Sequence, residues 1–132
     1  MREASIERRL VDGIRKAGGL ALKFTSPGHS GVPDRIVLLP GGRVVFVELK
    51  AETGRLSPLQ AAVHRQFRSY GMDVRTLRGK QEVEGFISEV QSMGLPKIRH
   101  TVDTVTPQVR AVLGYGPGED SDHADGSQAA PR

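Results

Sequence analysis

The chain has no cysteine and no tryptophan, and only two tyrosines and four phenylalanines among its 132 residues. Without thiols there is no disulfide and no thiolate metal site, which fits a reducing cytoplasm. The small aromatic share and a hydrophobic content of 37% leave a lean core, enough for one modest domain at this length. No apolar run approaches the length of a bilayer span, and the N-terminus lacks the pattern of a signal peptide. A cytoplasmic protein with no membrane partner is expected. No internal repeat is present.

Acidic residues are scarce where the chain is patterned. Residues 116–132 hold four acids and one base, so the formal net charge of +4 becomes +7 over residues 1–115, with 18 basic against 11 acidic side chains. That balance favours a polyanionic partner such as nucleic acid, although basic domains without one are common.

Residues 31–50, GVPDRIVLLPGGRVVFVELK, organise the rest. They read as two strands joined by a Gly-rich turn, with Asp34 and Glu48 as their only acids. Period-2 alternation places Val44, Phe46, Glu48 and Lys50 on one face of the second strand, and Val45, Val47 and Leu49 on the other. The Val44–Phe46 half of the first face is expected to be buried, the Glu48–Lys50 end to be the charged lip of a cleft. Glu48 and Lys50 then stand roughly 7 Å apart, room for an ion and water. A three-residue loop at Pro40–Gly42 sets Asp34 opposite Glu48; a two-residue Gly41–Gly42 turn throws Asp34 to the other face. Local sequence leaves both registers open. Two carboxylates facing each other repel, and usually need a cation to sit together.

Around this hairpin, Ile6, Leu10, Ile14 and Ala17 mark an amphipathic helix over residues 5–17, ended by Gly18–Gly19. Glu7 lies at the margin of its apolar stripe. Residues 20–25 alternate Leu20, Leu22 and Phe24 against Ala21, Lys23 and Thr25, a strand whose first set is expected to face the core. His29, in the turn-rich loop that follows, reads as an exposed loop histidine. Ser57, Pro58 and Gln60 open a second helix with a capping box. Its expected buried stripe is Leu59, Val63, Phe67 and Tyr70, with His64, Arg65 and Arg68 on a flanking, solvated face. Residues 72–78 read as a further strand, and Val83, Phe86, Ile87, Val90 and Met93 as a third amphipathic helix. The expected organisation is a core at 1–94, an extension at 95–115 packing on the core or at a dimer interface, and a disordered acidic tail at 116–132.

Pro33–Asp34 followed by Glu48–Leu49–Lys50 resembles the signature of the PD-(D/E)XK nucleases. The wider Gly31–Val32–Pro33–Asp34–Arg35 with Val47–Glu48–Leu49–Lys50 is similar to their VRR-NUC branch, over about residues 5–77. The resemblance implies an α/β fold, a restriction-endonuclease-like αβββαβ core with a mixed central sheet flanked by helices. It agrees with the element order that periodicity alone yields. It implies a Mg²⁺-dependent endodeoxyribonuclease, with Mn²⁺ able to substitute. Asp34 and Glu48 become direct ligands with the Leu49 carbonyl as a third, and Glu7 acts through water. On the residues alone Glu7 is a solvated helix acid; only the resemblance makes it catalytic. Lys50 would orient the attacking water or stabilise charge gathering on the phosphate, in preference to abstracting a proton, because carboxylates beside an amine favour the ammonium. Gln60 has two readings, helix cap and active-site amide, and both can hold. Basic residues that similar proteins carry before the Gly–Val–Pro–Asp run are replaced here by His29 and Ser30.

Similar stand-alone domains occur in bacteriophages, act as homodimers and cut branched DNA such as four-way junctions, while larger relatives cut flaps. The expected partner is therefore branched DNA, in a host cytoplasm if the chain is phage-encoded. Two rivals remain: a DNA-binding subunit that kept the fold and lost its chemistry, and a phosphatase acting on small substrates. Against the first stands completeness, since Glu7, Asp34, Glu48, Lys50 and Gln60 are all present. A surface hairpin carrying an ordinary Glu–Lys pair is the structural alternative to a site.

Overall fold

The strand pair that carries Asp34 and Glu48 forms the middle of a four-stranded sheet in the computed structural model, which describes residues 3–98. The elements run α1 (Glu3–Lys16), β1 (Leu20–Lys23), β2 (Arg35–Leu39), β3 (Arg43–Lys50), α2 (Pro58–Ser69), β4 (Asp73–Arg78) and α3 (Gly79–Gln91). This is the expected αβββαβ order with one more helix. The strands lie side by side in chain order; β1, β2 and β3 are antiparallel, and β4 joins β3 in parallel. An antiparallel neighbour needs only a tight turn. A parallel one needs a crossover, which α2 supplies.

Leu39 pairs with Arg43, so Pro40, Gly41 and Gly42 form a three-residue loop and the open question of register is decided. Gly41 and Gly42 have φ of +91° and +83°, a region where a Cβ would be strained, which is why this reversal takes two glycines. Continuing the ladder one step past the Arg35–Val47 pair sets Asp34 opposite Glu48.

One face of the sheet is closed. Ile6, Leu10 and Ile14 of α1 and Val83, Phe86, Ile87 and Val90 of α3 pack on Ala21, Val37, Leu39, Val45, Val47, Leu49 and Leu77. Arg9 of α1 pairs with Glu84 of α3 at the rim. Arg75 of β4 binds both Asp73 and, at 2.9 and 3.0 Å, Glu89 of α3. These surface pairs orient the helices more than they stabilise them.

The other face departs from expectation in three places. Ala21, not Leu22, points into the core; Leu22 is 38% exposed on the α2 side. On α2, Val63 and His64 are buried whereas Leu59 and Tyr70 are 53% and 76% exposed. On β3 the gradient runs opposite to that predicted, with Val44 at 39% exposure and Glu48 at 4%. The common cause is placement: α2 packs towards β4, covering the Glu48 end of β3 and leaving Leu22, Leu38 and Val44 open. Phe24, Phe46 and Phe67 meet along the boundary, with ring centroids 5.0–6.4 Å apart. No described helix is long and apolar enough to cross a membrane. Beyond Ile98, the expected extension and acidic tail lie outside the described residues.

Replacing Ile14, which is fully buried, by Ala should cost about 2–5 kcal/mol in urea denaturation, while Leu22→Ala on the open face should cost about 1 kcal/mol or less. Equal losses would contradict this division between a closed and an open face.

Candidate active site

Asp34 is delivered by a constrained entry. Gly31, at φ +89°, passes so close to α2 that a Cβ there would sit 3.0 Å from Val63 and 3.1 Å from Leu59. Pro33 follows, buried and with its own φ fixed by the ring. The Asp34 carboxylate then accepts from the backbone N–H of Leu49 at 3.3 and 3.4 Å, tying the start of β2 to β3 one residue beyond Glu48.

Glu48, opposite Asp34 in the ladder, lies under α2. Its Oε2 accepts from Gln60 Nε2 at 3.2 Å and lies 3.5 Å from Lys50 Nζ. Its Oε1 lies 4.0 Å from His64 Nε2, beyond hydrogen-bond range, and neither atom has a hydrogen-bond partner. Gln60 is both a cap residue and a neighbour of Glu48. Its side-chain oxygen accepts from Ser57 N–H at 3.0 Å while Ser57 Oγ accepts from Gln60 N–H at 3.0 Å, completing the capping box. With the oxygen engaged in the cap, the amide nitrogen is the end that faces Glu48.

The electrostatics follow from this enclosure. Burial, reinforced by the charge of Asp34 and partly offset by Lys50, pushes Glu48 up to about 7 from an ordinary value of 4.5. Burial also lowers His64 below its usual value, with the Arg68 and Lys50 cations acting in the same sense.

On the sheet's closed side, Ala4, Glu7, Asp34 and Leu49 line a cleft of about 200 Å³. Glu7 pairs there with Arg35 at 2.9 Å. Thus the structure brings Glu7, Asp34 and Leu49 together in one cleft, and Glu48, Lys50 and Gln60 together under α2. The Leu49 backbone and the Asp34–Glu48 interaction join the two groups. A second concavity, about 300 Å³ and lined by His29, Phe46, Gln66, Phe67, Tyr70 and Met72, holds no carboxylate and is not a place for this chemistry. His29 is exposed there, as expected of a loop histidine.

Among the described residues no three His, Asp or Glu side chains form a cluster fit for an ion. Two carboxylates and a peptide carbonyl make a sparser donor set, and sparse oxygen ligation suits Mg²⁺, which keeps most of its waters. Glu48 Oε1, buried with an unused acceptor, has the capacity for such a contact. The residues present therefore fit a hard divalent ion.

Two neighbours of the site are not among the residues that the sequence singles out. Arg35, with its side chain 12% exposed, shares a face with the core residues Val37 and Leu39, so strand alternation is the signal that turns its cation towards α1. His64 follows Gln60 by four positions, one helical turn, and so shares its row. A stripe drawn through Leu59 and Tyr70 leaves His64 among the solvated residues; a stripe drawn through Gln60 includes it.

Residues 4–81 match the VRR-NUC domain family. Over 77 residues the chain is 48% identical to a protein of Acyrthosiphon pisum secondary endosymbiont phage 1 named "Putative nuclease p44", a match spanning 58% of this chain and 83% of that protein. A solved structure named "VRR_NUC domain" superposes with a TM-score of 0.62 at 32% identity, covering 65% of this chain and 94% of the other. Another, "VRR_NUC domain protein", gives 0.58 at 13% identity over 72% and 92% of the two chains and supports the fold alone.

The elevated Glu48 value carries a sign. Between pH 4.5 and about 7 the folded, metal-free protein holds a proton that the unfolded chain has released, so stability falls as pH rises across that window. In EDTA, wild type should lose on the order of 2 kcal/mol more than Glu48→Gln between pH 5 and 7.5, since each tenfold difference in proton affinity is worth about 1.4 kcal/mol. Parallel denaturation profiles for the two proteins would show that Glu48 ionises freely.

Proposed function

The chain belongs to the VRR-NUC family, a branch of the PD-(D/E)XK nucleases, and on that premise we propose a Mg²⁺-dependent endonuclease that hydrolyses phosphodiester bonds in branched DNA. The observation that carries the metal dependence is Glu48. A carboxylate buried to 4% exposure, opposed to a second carboxylate and reluctant to ionise at neutral pH, is suited to a site completed by a divalent cation.

In this reading Asp34, Glu48 and the Leu49 carbonyl would hold Mg²⁺, and Glu7, steadied by Arg35, would act through water. The ion would supply charge stabilisation on the phosphate and a more acidic water. Hydrolysis forms one P–O bond from a water oxygen and breaks one ester P–O bond; the water gives up a proton and the departing oxygen gains one. Lys50, 3.5 Å from Glu48 Oε2 with its side chain 19% exposed, reaches the site from the α2 side. Its fixed positive charge favours the phosphorane-like charge build-up and orients the nucleophile. Gln60 prevents Glu48 from turning away.

Branched DNA and a homodimer belong to the same proposal. Leu22, Leu38 and Val44 form an apolar strip on the open sheet face, each 38–39% exposed, and Leu38 and Val44 are directly paired across β2 and β3. Burial of that strip against a second copy would give a two-fold pair of sites, matching the two strands of a symmetric junction. The place of action would be the cytoplasm, the host's if the chain serves a phage.

The test uses labelled four-way junction, flap and linear duplex. Cleavage should require Mg²⁺ or Mn²⁺, stop in EDTA, and fall about 100-fold or more in Lys50→Ala and in Asp34→Ala. Junction should be cut in preference to linear duplex, and light scattering should report a dimer that Val44→Asp dissociates. Cutting that persists in EDTA rules out the metal. A strict monomer with equal activity on linear duplex rules out the junction reading.

A further inference from the structure

His64 is fully buried, both of its ring nitrogens lack hydrogen-bond partners, and nothing in the hydrolytic reading uses it. An imidazole sealed in this way is a poor filler. It brings two polar atoms out of water, where a leucine of similar bulk would bring none. Its presence at this point therefore calls for a polar task, and the polar group in front of it is Glu48 Oε1, 4.0 Å from Nε2. That oxygen is itself buried and unpartnered. The other oxygen, Oε2, is already held by Gln60, one helical turn earlier on α2. Two residues four apart on one helix row thus face the two oxygens of a single carboxylate.

We propose that His64 is a positioning residue for Glu48: its Nε2–H donates to Oε1 and, with Gln60 on Oε2, forms a two-point clamp that sets the plane of the carboxylate for its metal. A closure of about 1 Å brings the pair to ordinary N–H···O distance. A neutral imidazole carries one N–H and one lone pair. With the proton on Nδ1, a lone pair would face the carboxylate oxygen and a buried donor would point at nothing, so Glu48 itself selects the Nε2–H tautomer. Partners that orient metal-binding side chains in this way typically affect metal affinity about 10–100-fold when lost. The metal-binding consequence rests on the hydrolytic reading above; the tautomer does not.

Two measurements on the full chain separate them. In metal-free wild type above pH 8, where Glu48 is ionised, ¹⁵N spectra of the His64 ring should place the proton on Nε2, with a shift that changes in Glu48→Gln; a proton on Nδ1 overturns the clamp. Mn²⁺ titration followed by electron paramagnetic resonance should show dissociation about tenfold weaker in His64→Leu and within about threefold of wild type in His64→Gln, whose amide restores an N–H donor. His64→Leu should melt at or above the wild-type temperature in EDTA, which separates lost positioning from lost folding. A His64→Leu protein that binds Mn²⁺ as tightly as wild type overturns the proposal. Wild type that takes up no Mn²⁺, but shows the Glu48-dependent Nε2–H tautomer, would sink the metal reading and leave the clamp standing.

Discussion

A carboxylate held out of water beneath a helix is the constraint around which this protein is built. Glu48 occupies the place on the sheet's second face where α2 lies close enough to exclude solvent. Removing a charge from water is costly unless it is paired and hydrogen-bonded. Here the pairing is incomplete: Gln60 and Lys50 both address Oε2, and Oε1 has no hydrogen bond. A purely structural core would place a valine at this point. The deficit is local, confined to one carboxylate oxygen and the imidazole that faces it.

The helix that imposes the burial also relieves part of it. The Ser57 cap fixes where α2 begins, and the same Gln60 that closes the cap presents its amide to Glu48. Helix start and site geometry are therefore one interaction. Loss of the cap would loosen the amide, and loss of the amide would leave Ser57 N–H without its acceptor. The parallel β3–β4 pairing adds to this, because it requires α2 to return across the face that holds the Glu48 carboxylate.

Asp34 belongs to both sides of the sheet. Its backbone continues the β2–β3 ladder opposite Glu48, while its carboxylate reaches the Leu49 N–H and lines the cleft shared with Glu7. Arg35, the next residue, turns towards α1 and neutralises Glu7. Adjacent residues of opposite charge thus both come to the Glu7 cleft, at the point where the chain enters the sheet. The acids gathered here would otherwise repel one another across a few ångströms.

Much of this was legible in the sequence because it depends on period and local chemistry. Helical recurrence of Ile6, Leu10 and Ile14, alternation along residues 44–50, the Ser57–Gln60 box and the order of elements are written in neighbouring residues. The motif residues Asp34, Glu48 and Lys50 could be singled out for the same reason. What the tertiary structure alone decided was coverage and parity. Whether Pro40–Gly42 made a loop of two or three residues was locally balanced, and the choice set which side chains oppose each other. How far α2 reaches across the sheet decided that His64 is buried and Tyr70 exposed, and that Glu48 is more enclosed than Val44. An amphipathic pattern reports that a helix has an apolar side; the neighbour that side meets, and how much of it, depends on contacts between residues distant in the chain.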